Sequence, residues 1–279
     1  MYRPTAFQQD DIDKLTAFMQ ANSFATLVSI AGGVPCATHV PLVVRKTAEG
    51  LKLVGHLAKE NPQWQAFGTA ESLAIFTGPH AYISPTLYEK SASVPTWNYI
   101  AVHAYGKPET LTLNAAPEAM AQMIDEMIGV YEASYDAHWQ SLSSKFRTGM
   151  MQGIVGFEMP ITRLEGKYKL SQNRSQTEQQ NVAAALAQHA DPTIHTIGIE
   201  MQHNLAPPNK GIPGYYPLLG QTVNATMPNT SRMMPDRRLS HRMWDVVRRV
   251  RNRLTVPLSN SHHSAEPQNT PSTKIPDVP

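Results

Sequence analysis

The run VGHLAKENPQWQAF, Val54 to Phe67, brings an imidazole (His56), an ammonium (Lys59) and a carboxamide (Asn61) together where an apolar stretch stops at Gly55. Cationic and donor groups beside the free N–H groups of a helix start suit an anion such as phosphate. Each charge-assisted hydrogen bond there contributes roughly 1.5–3 kcal/mol. The helix start is legible too: Asn61 fits an N-cap, Pro62 the first helical position, and Trp64 and Phe67 an apolar face. Upstream, Leu51, Leu53 and Leu57 have strand-like spacing, so the expected order is strand, tight crook, short helix. The same residues also describe a capped surface turn carrying a solvated lysine.

Other polar and aromatic groups collect at the ends of expected strands: Thr38-His39, Tyr82 with Ser84, Trp97-Asn98-Tyr99, and Lys169 through Arg174. Individually they have plain readings. Trp97 reads as a partly buried core aromatic, His103 as a satisfied strand histidine and Arg174 as a solvated charge at a helix start. Together they offer cations for a phosphate, donors for a polar heterocycle and flat rings to pack on it, the chemistry of a flavin nucleotide site. Several other site patterns are missing. The chain has no GxGxxG after a strand, no phosphate loop ending in GK[S/T], no HExxH and no GxSxG. Its eleven histidines do not group at metal-ligand spacing, and Cys36 is the only cysteine, which excludes an internal disulfide and a cysteine-rich zinc site.

The elements that position these groups follow from pattern. Asp10 is expected to cap a helix with Ile12, Leu15 and Met19 on one face, ending near Asn22. Phe24 to Ala31 and Val34 to Val44 flank Gly32-Gly33 as an antiparallel hairpin, and Pro35 and Pro41 place the second strand at an edge or a bulge. Ser72 to Thr77 is a further strand that must bend or change sheets at Gly78-Pro79, and a strand from Trp97 carries Trp97 and Tyr99 on one face and Asn98 on the other. Ala116 to Tyr131 reads as a helix whose Met120, Met123 and Met127 belong to the core, followed by a helical stretch near Ser143 to Met151. Ile154 to Leu164 is strand-like, Gly166 is taken as a turn, Lys167 to Leu170 as a last short strand, and a helix runs from about Thr177 to His189. Antiparallel strands interrupted by a few helices suit a small barrel better than a doubly wound sheet.

Charge divides the chain. Of its 24 Lys/Arg and 22 Asp/Glu, residues 206–279 hold ten and four, leaving fourteen and eighteen on residues 1–205. Eleven of the 22 prolines also fall in 206–279. The expectation is a folded domain over 1–205 and a basic, proline-rich, largely disordered tail over 206–279, with a helix near 237–254. Arginines flank the apolar face of that helix, so nucleic acid or an anionic membrane surface is a potential partner. No apolar run is long enough for a membrane span, and the first residues lack a signal-peptide pattern, so a cytoplasmic protein is expected.

The motifs MYRP, HVPL (39–42), GHLAKENPQW (55–64), GPHAYISP (78–85), VPTWNY (94–99), IVGFE (154–158) and KLSQNR (169–174) occur in this order. With them the chain resembles the PaiB-type FMN-binding negative transcriptional regulators over about residues 1–200. The resemblance implies a mainly β fold with α, an FMN-binding split β-barrel with packed helices, in a homodimer with flavin at the subunit interface. It places His56, Lys59 and Asn61 at the FMN phosphate and Thr38 and His39 along the isoalloxazine edge. Trp97, Asn98, Lys169 and Ser171 follow as further contacts, contributed across the dimer. No catalytic residue carries over. DNA is the partner a regulator implies, although 1–205 is acidic and shows no helix-turn-helix. The alternative is a flavin-dependent oxidoreductase using NAD(P)H, or a haem-handling split barrel with His80 or His103 near the iron.

Overall fold

A computed structural model describes residues 1–205. The chain enters through a two-residue strand, β1 (Gln8–Gln9), and helix α1 (Ile12–Ala21). The cap of α1 is Asp11, whose carboxylate accepts from the Lys14 N–H at 3.1 Å; the expected cap, Asp10, is instead held by Arg3 and Gln8. The hairpin forms as β2 (Phe24–Ala31) and β3 (Val34–Pro41). Its turn uses Gly32 and Gly33 at φ 58° and 82°, a left-handed conformation that costs glycine nothing. β3 lies at the end of the sheet order, as Pro35 and Pro41 require. The run expected to continue to Val44 breaks at the buried Leu42, after which β4 (Val43–Thr47) pairs with β5 (Gly50–Ala58).

β6 (Ser72–Ile83) bends at a register shift between Thr77 and His80, and pairs with β7 (Thr96–Gly106). A short β8 (Glu109–Leu111) leads to α2 (Pro117–Glu132), α3 (Asp136–Ser141) and α4 (Ser144–Gln152). β9 (Ile154–Lys169) follows, then α5 (Gln176–Leu186) and α6 (Pro192–Leu205). The order β3-β2-β6-β7-β9-β5-β4 is antiparallel at every pairing, and β9 joins its two halves: Ile154 to Pro160 pair with β5, and Ile161 to Lys169 pair with β7. The result is a mainly β, split-barrel architecture with packed helices. The expected tail over 206–279 and its helix near 237–254 lie outside the described residues.

Two apolar clusters hold the strands. The main core joins Leu27, Leu53, Phe76, Ile100, Val102 and Phe157 with Leu15, Phe18 and Met19 of α1, Val182 of α5 and Met201 of α6. On the other side of β4 and β5, the methionine stripe of α2 (Met120, Met123, Met127) covers Val43 and Val54. Each such side chain contributes roughly 1.5–3 kcal/mol when fully buried.

β9 departs from the sequence pattern. Gly166 makes no turn; it pairs with Val102 on one side and Gln9 on the other, so the strands expected on either side of it are one. A Cβ there would lie 2.3 Å from Leu15 Cδ2 and 2.8 Å from the Gln9 carbonyl oxygen, so glycine is what lets α1 and β1 approach. Gly166→Ala should therefore destabilise the fold by about 1–3 kcal/mol through overpacking. Gly129→Ala, on the exposed side of α2 with open space around it, should stabilise it by about 0.5–1 kcal/mol. Urea midpoints of the two variants measure both signs.

Candidate functional site

The crook after β5 forms as a single 3-10 turn, Pro62–Ala66, shorter than the expected helix. Asn61 caps it, its side-chain oxygen accepting from the Gln63 N–H at 3.0 Å. The Asn61 amide also donates to Thr38 Oγ1 at 2.8 Å, and Thr38 donates to Gln63 Oε1 at 2.6 Å. Gln63 is buried, and its amide donates to the Leu27 carbonyl oxygen (2.9 Å) and Ser29 Oγ (3.1 Å); Ser29 in turn meets Ser72 Oγ at 2.8 Å. Thr38 and Asn61 are thus brought together, bonded directly to each other and each also to Gln63, a residue that pattern reading missed. Gln63 carries no charge and breaks no periodicity, so its only sequence signal is its place one residue after Pro62.

His56 and Lys59 stand outside this network. Lys59 is exposed; its backbone N–H donates to Gly153 and its carbonyl accepts from the Trp64 indole, while its ammonium bonds no described residue. By strand alternation His56 shares a face with Val54, the side covered by the α2 methionines. Its Nδ1 is buried with no hydrogen-bond partner, and burial pushes its pKa below the ordinary histidine value of 6.5. His39 is exposed on β3, its Nδ1 3.0 Å from Thr26 Oγ1 and its ring stacked at 6.2 Å on Phe24.

The remaining expected contacts lie elsewhere. Asn98 and Ser171 are buried and bonded to each other at 2.9 Å, and the Asn98 amide also reaches Met201 Sδ of α6 at 3.4 Å. Ser171 takes a left-handed φ of 65° to reach this position. Trp97, read as a partly buried core residue, is 53% exposed, and the Lys169 ammonium donates to its carbonyl oxygen at 2.7 Å. Burial, and then the nearby Lys167, lower the Lys169 pKa. Along the sheet Thr38 lines up with Leu27, Ala74 and Ala104, so Asn98 is three strands across and six residues further along β7. That is an in-sheet path of about 20 Å or more. Within one chain the crook and the Trp97–Lys169 group are separate. Arg174, read as solvated, stacks over the Tyr88 ring at 3.9 Å.

A family model described as “Putative FMN-binding domain” matches residues 1–163. The chain belongs to this FMN-binding family. It is 38% identical over 208 residues to the Protease synthase and sporulation protein PAI 2 of Bacillus subtilis, covering 74% of this chain and 98% of that one. An uncharacterized protein of Emericella nidulans is 31% identical over 182 residues, covering 52% and 72%. Among solved structures, the flavocytochrome Anf3 from Azotobacter vinelandii has a TM-score of 0.47 at 14% identity, covering 60% of this chain and 72% of that one. The FAD and heme binding protein from Mycobacterium smegmatis has a TM-score of 0.46 at 15% identity, covering 58% and 73%.

FMN is the cofactor of this family, and the crook fits part of it. A phosphate needs an unengaged cation and donors, and Lys59 offers an ammonium bonded to no described residue while His56 has an unpartnered ring nitrogen. The side chains of Thr38 and Asn61 fit a supporting role, because their polar atoms already bond within the chain.

Two expectations follow. Gln63→Leu strips partners from Thr38 and the Leu27 carbonyl, so it should cost about 1–3 kcal/mol in urea unfolding, against less than about 0.5 kcal/mol for the exposed Gln65→Leu. The second concerns pH. His103, read as a satisfied strand histidine, also has a buried, unpartnered Nδ1, and burial lowers its pKa like that of His56. A histidine whose folded pKa is depressed contributes stability that is complete above the unfolded value and is lost as pH falls through the folded one. The urea midpoint should therefore drop below pH 6.5, and the double variant His56→Gln/His103→Gln should show a shallower drop than the unmodified chain.

Proposed function

We propose that this chain works as a cytoplasmic, homodimeric FMN-binding regulator of transcription, with the flavin phosphate held at the crook by Lys59 and His56. The observation that carries the cofactor assignment is the Lys59 ammonium, exposed in the middle of the GHLAKENPQW motif and bonded to no described residue, in a chain of the FMN-binding family. His39, exposed on β3, and the Thr38–Asn61–Gln63 network behind it supply the wall along which the isoalloxazine edge is placed. FMN, when bound, supplies a redox-active ring. The protein's own groups bind its phosphate and fix the backbone around it.

Exposed apolar side chains on the β2–β3 hairpin, Phe24 (70%), Val34 (65%) and Ile30 (44%), support a second copy as the dimer partner. Among the described residues no helix is long and apolar enough to cross a membrane, which agrees with a cytoplasmic site of action. The regulatory role is supported by the similarity to PAI 2, whose name ties that protein to protease synthesis and sporulation.

Lys59→Ala should weaken FMN binding roughly tenfold or more, and Lys167→Ala should leave it largely unchanged, because only Lys59 lies in the crook. Flavin fluorescence titrations compare the two, and equal losses would overturn the phosphate assignment. For the regulatory reading, gel shifts over a salt series should show a specific complex with DNA upstream of the protein's own gene or a neighbouring one. Absence of a shift at every salt concentration, together with anaerobic bleaching of the flavin by NADPH, would replace the regulator with an oxidoreductase.

A further inference from the structure

The turn that carries Lys59 is closed at its ends and clasped in its middle. Ala58, the last residue of β5, accepts from the Asn61 N–H at 3.0 Å, so residues 58–61 form a four-residue turn with Lys59 and Glu60 at its centre. The peptide joining those two residues is the freest part of such a turn, because rotating it leaves the closing hydrogen bond intact. Here it is tethered. The Trp64 indole N–H donates to the Lys59 carbonyl oxygen at 2.9 Å, while the body of Trp64 packs against the main core. One side chain thereby ties an exposed turn to the interior.

Holding the carbonyl also sets the donor on the other side of the same peptide. That peptide is trans, so the Glu60 N–H points opposite to the Lys59 carbonyl, away from the indole. Reversing it would need a left-handed Glu60, and Glu60 does not adopt a positive φ. The Glu60 N–H meets no acceptor among the described residues. Its neighbours are engaged: the Lys59 N–H donates to Gly153, the Asn61 N–H to Ala58 and the Gln63 N–H to the Asn61 side chain, and Pro62 has no N–H. Across residues 59–63 the backbone thus leaves a single open donor, one residue from the Lys59 ammonium.

We propose that Trp64 is a positioning residue for the cofactor phosphate: by holding the Lys59 carbonyl it keeps the Glu60 N–H turned outward, so that this backbone donor and the Lys59 ammonium take the phosphate together. This role rests on the reading of the crook as the phosphate end of the flavin site. Trp64 itself touches no ligand. A donor aimed before the anion arrives binds it with less reorganisation than one that must be turned toward it. The Glu60 carboxylate is exposed and opposes an anion, so the turn uses Glu60 for its backbone alone.

Riboflavin, which is FMN without the phosphate, separates the two ends of the cofactor. The full chain is titrated with each by fluorescence, and the unmodified protein should favour FMN. Trp64→Phe keeps an aromatic ring against the core and removes only the N–H. It should weaken FMN about three- to tenfold and leave riboflavin within about twofold, which also shows that the variant is folded. Glu60→Gln should not weaken FMN. In the flavin-free protein, the indole proton that Trp64→Phe removes from the proton–nitrogen correlation spectrum should exchange with solvent more slowly than that of the exposed Trp97. Parallel losses of FMN and riboflavin in Trp64→Phe would make Trp64 a packing residue and overturn the positioning role. An FMN affinity unchanged by Trp64→Phe, a loss on Glu60→Gln, or an indole proton that exchanges as fast as that of Trp97 would overturn it too. In each of these cases Lys59→Ala still lowers the preference for FMN over riboflavin; if Lys59→Ala leaves that preference unchanged, the phosphate reading of the crook falls and the role of Trp64 falls with it.

Discussion

Glu158 pairs with Val54 on one side and Glu109 on the other, and Gly166 pairs with Val102 and Gln9, so β9 is hydrogen-bonded along both edges near each of its ends. Slipping it by one residue would break ladders on both sides and turn its buried set toward the wrong face. One irregularity is built into it. The register with β7 shifts between Tyr105 and Gly106, where Tyr105 faces Arg163 and Gly106 faces Ile161. The extra residue is Thr162, whose hydroxyl donates to Glu71 and to the Tyr105 carbonyl oxygen. Before it Val155, Phe157 and Met159 face the core; after it Leu164 and Tyr168 do, a change of phase that a bulge produces. This single strand can therefore serve both halves of the barrel. It also carries two close approaches, α2 methionines over Gly156 and α1 over Gly166.

The same phase change explains where sequence reading succeeded and where it failed. Residues 24–31 and 34–41 alternate without interruption around a Gly-Gly turn, and the hairpin was legible from them. Met120, Met123 and Met127 keep helical spacing, and their core role was legible too. In β9 the period of two fails at Thr162, and the glycine beyond it looks like punctuation, so the pattern predicts two strands and a turn where a single strand runs through. Asp10 and Asp11 are equivalent as caps by type. The side chains of Arg3 and Gln8, which hold the Asp10 carboxylate, decide between them.

The candidate site was legible in its exposed charge and obscure in its interior. Lys59, Asn61 and Pro62 announce the crook because charge, capping and φ restriction are local properties. The depth of Asn98 and Ser171 is not local: it is set by α6, whose Met201 closes over them. Gln63 shows the same limit from the other direction. Its amide ties the crook to the β2 backbone, 36 residues away in sequence, and a polar residue that is buried only by a distant strand looks like surface in one dimension. The network nonetheless limits what the crook can do. With Thr38, Asn61 and Gln63 bonded to one another, the groups left for a ligand are the Lys59 ammonium, the histidine rings and backbone.

Electrostatics then decides the size of the ligand that such groups attract. Residues 1–205 carry fourteen Lys/Arg against eighteen Asp/Glu, so their mean field repels anions. At physiological ionic strength that field is screened beyond about 8 Å, and the local balance prevails inside this range. Lys59, Lys167 and Lys169 form no ion pair with a carboxylate among the described residues, so their ammonium groups remain open to a small anion. A compact phosphate fits inside one such zone and meets little else. A duplex carries charge every 1.7 Å or so along its axis and spans many screening lengths, so it would meet the acidic remainder as well. The domain is thus suited to small phosphorylated molecules. Direct attraction of nucleic acid would have to come from the ten Lys/Arg of residues 206–279, where four Asp/Glu oppose them.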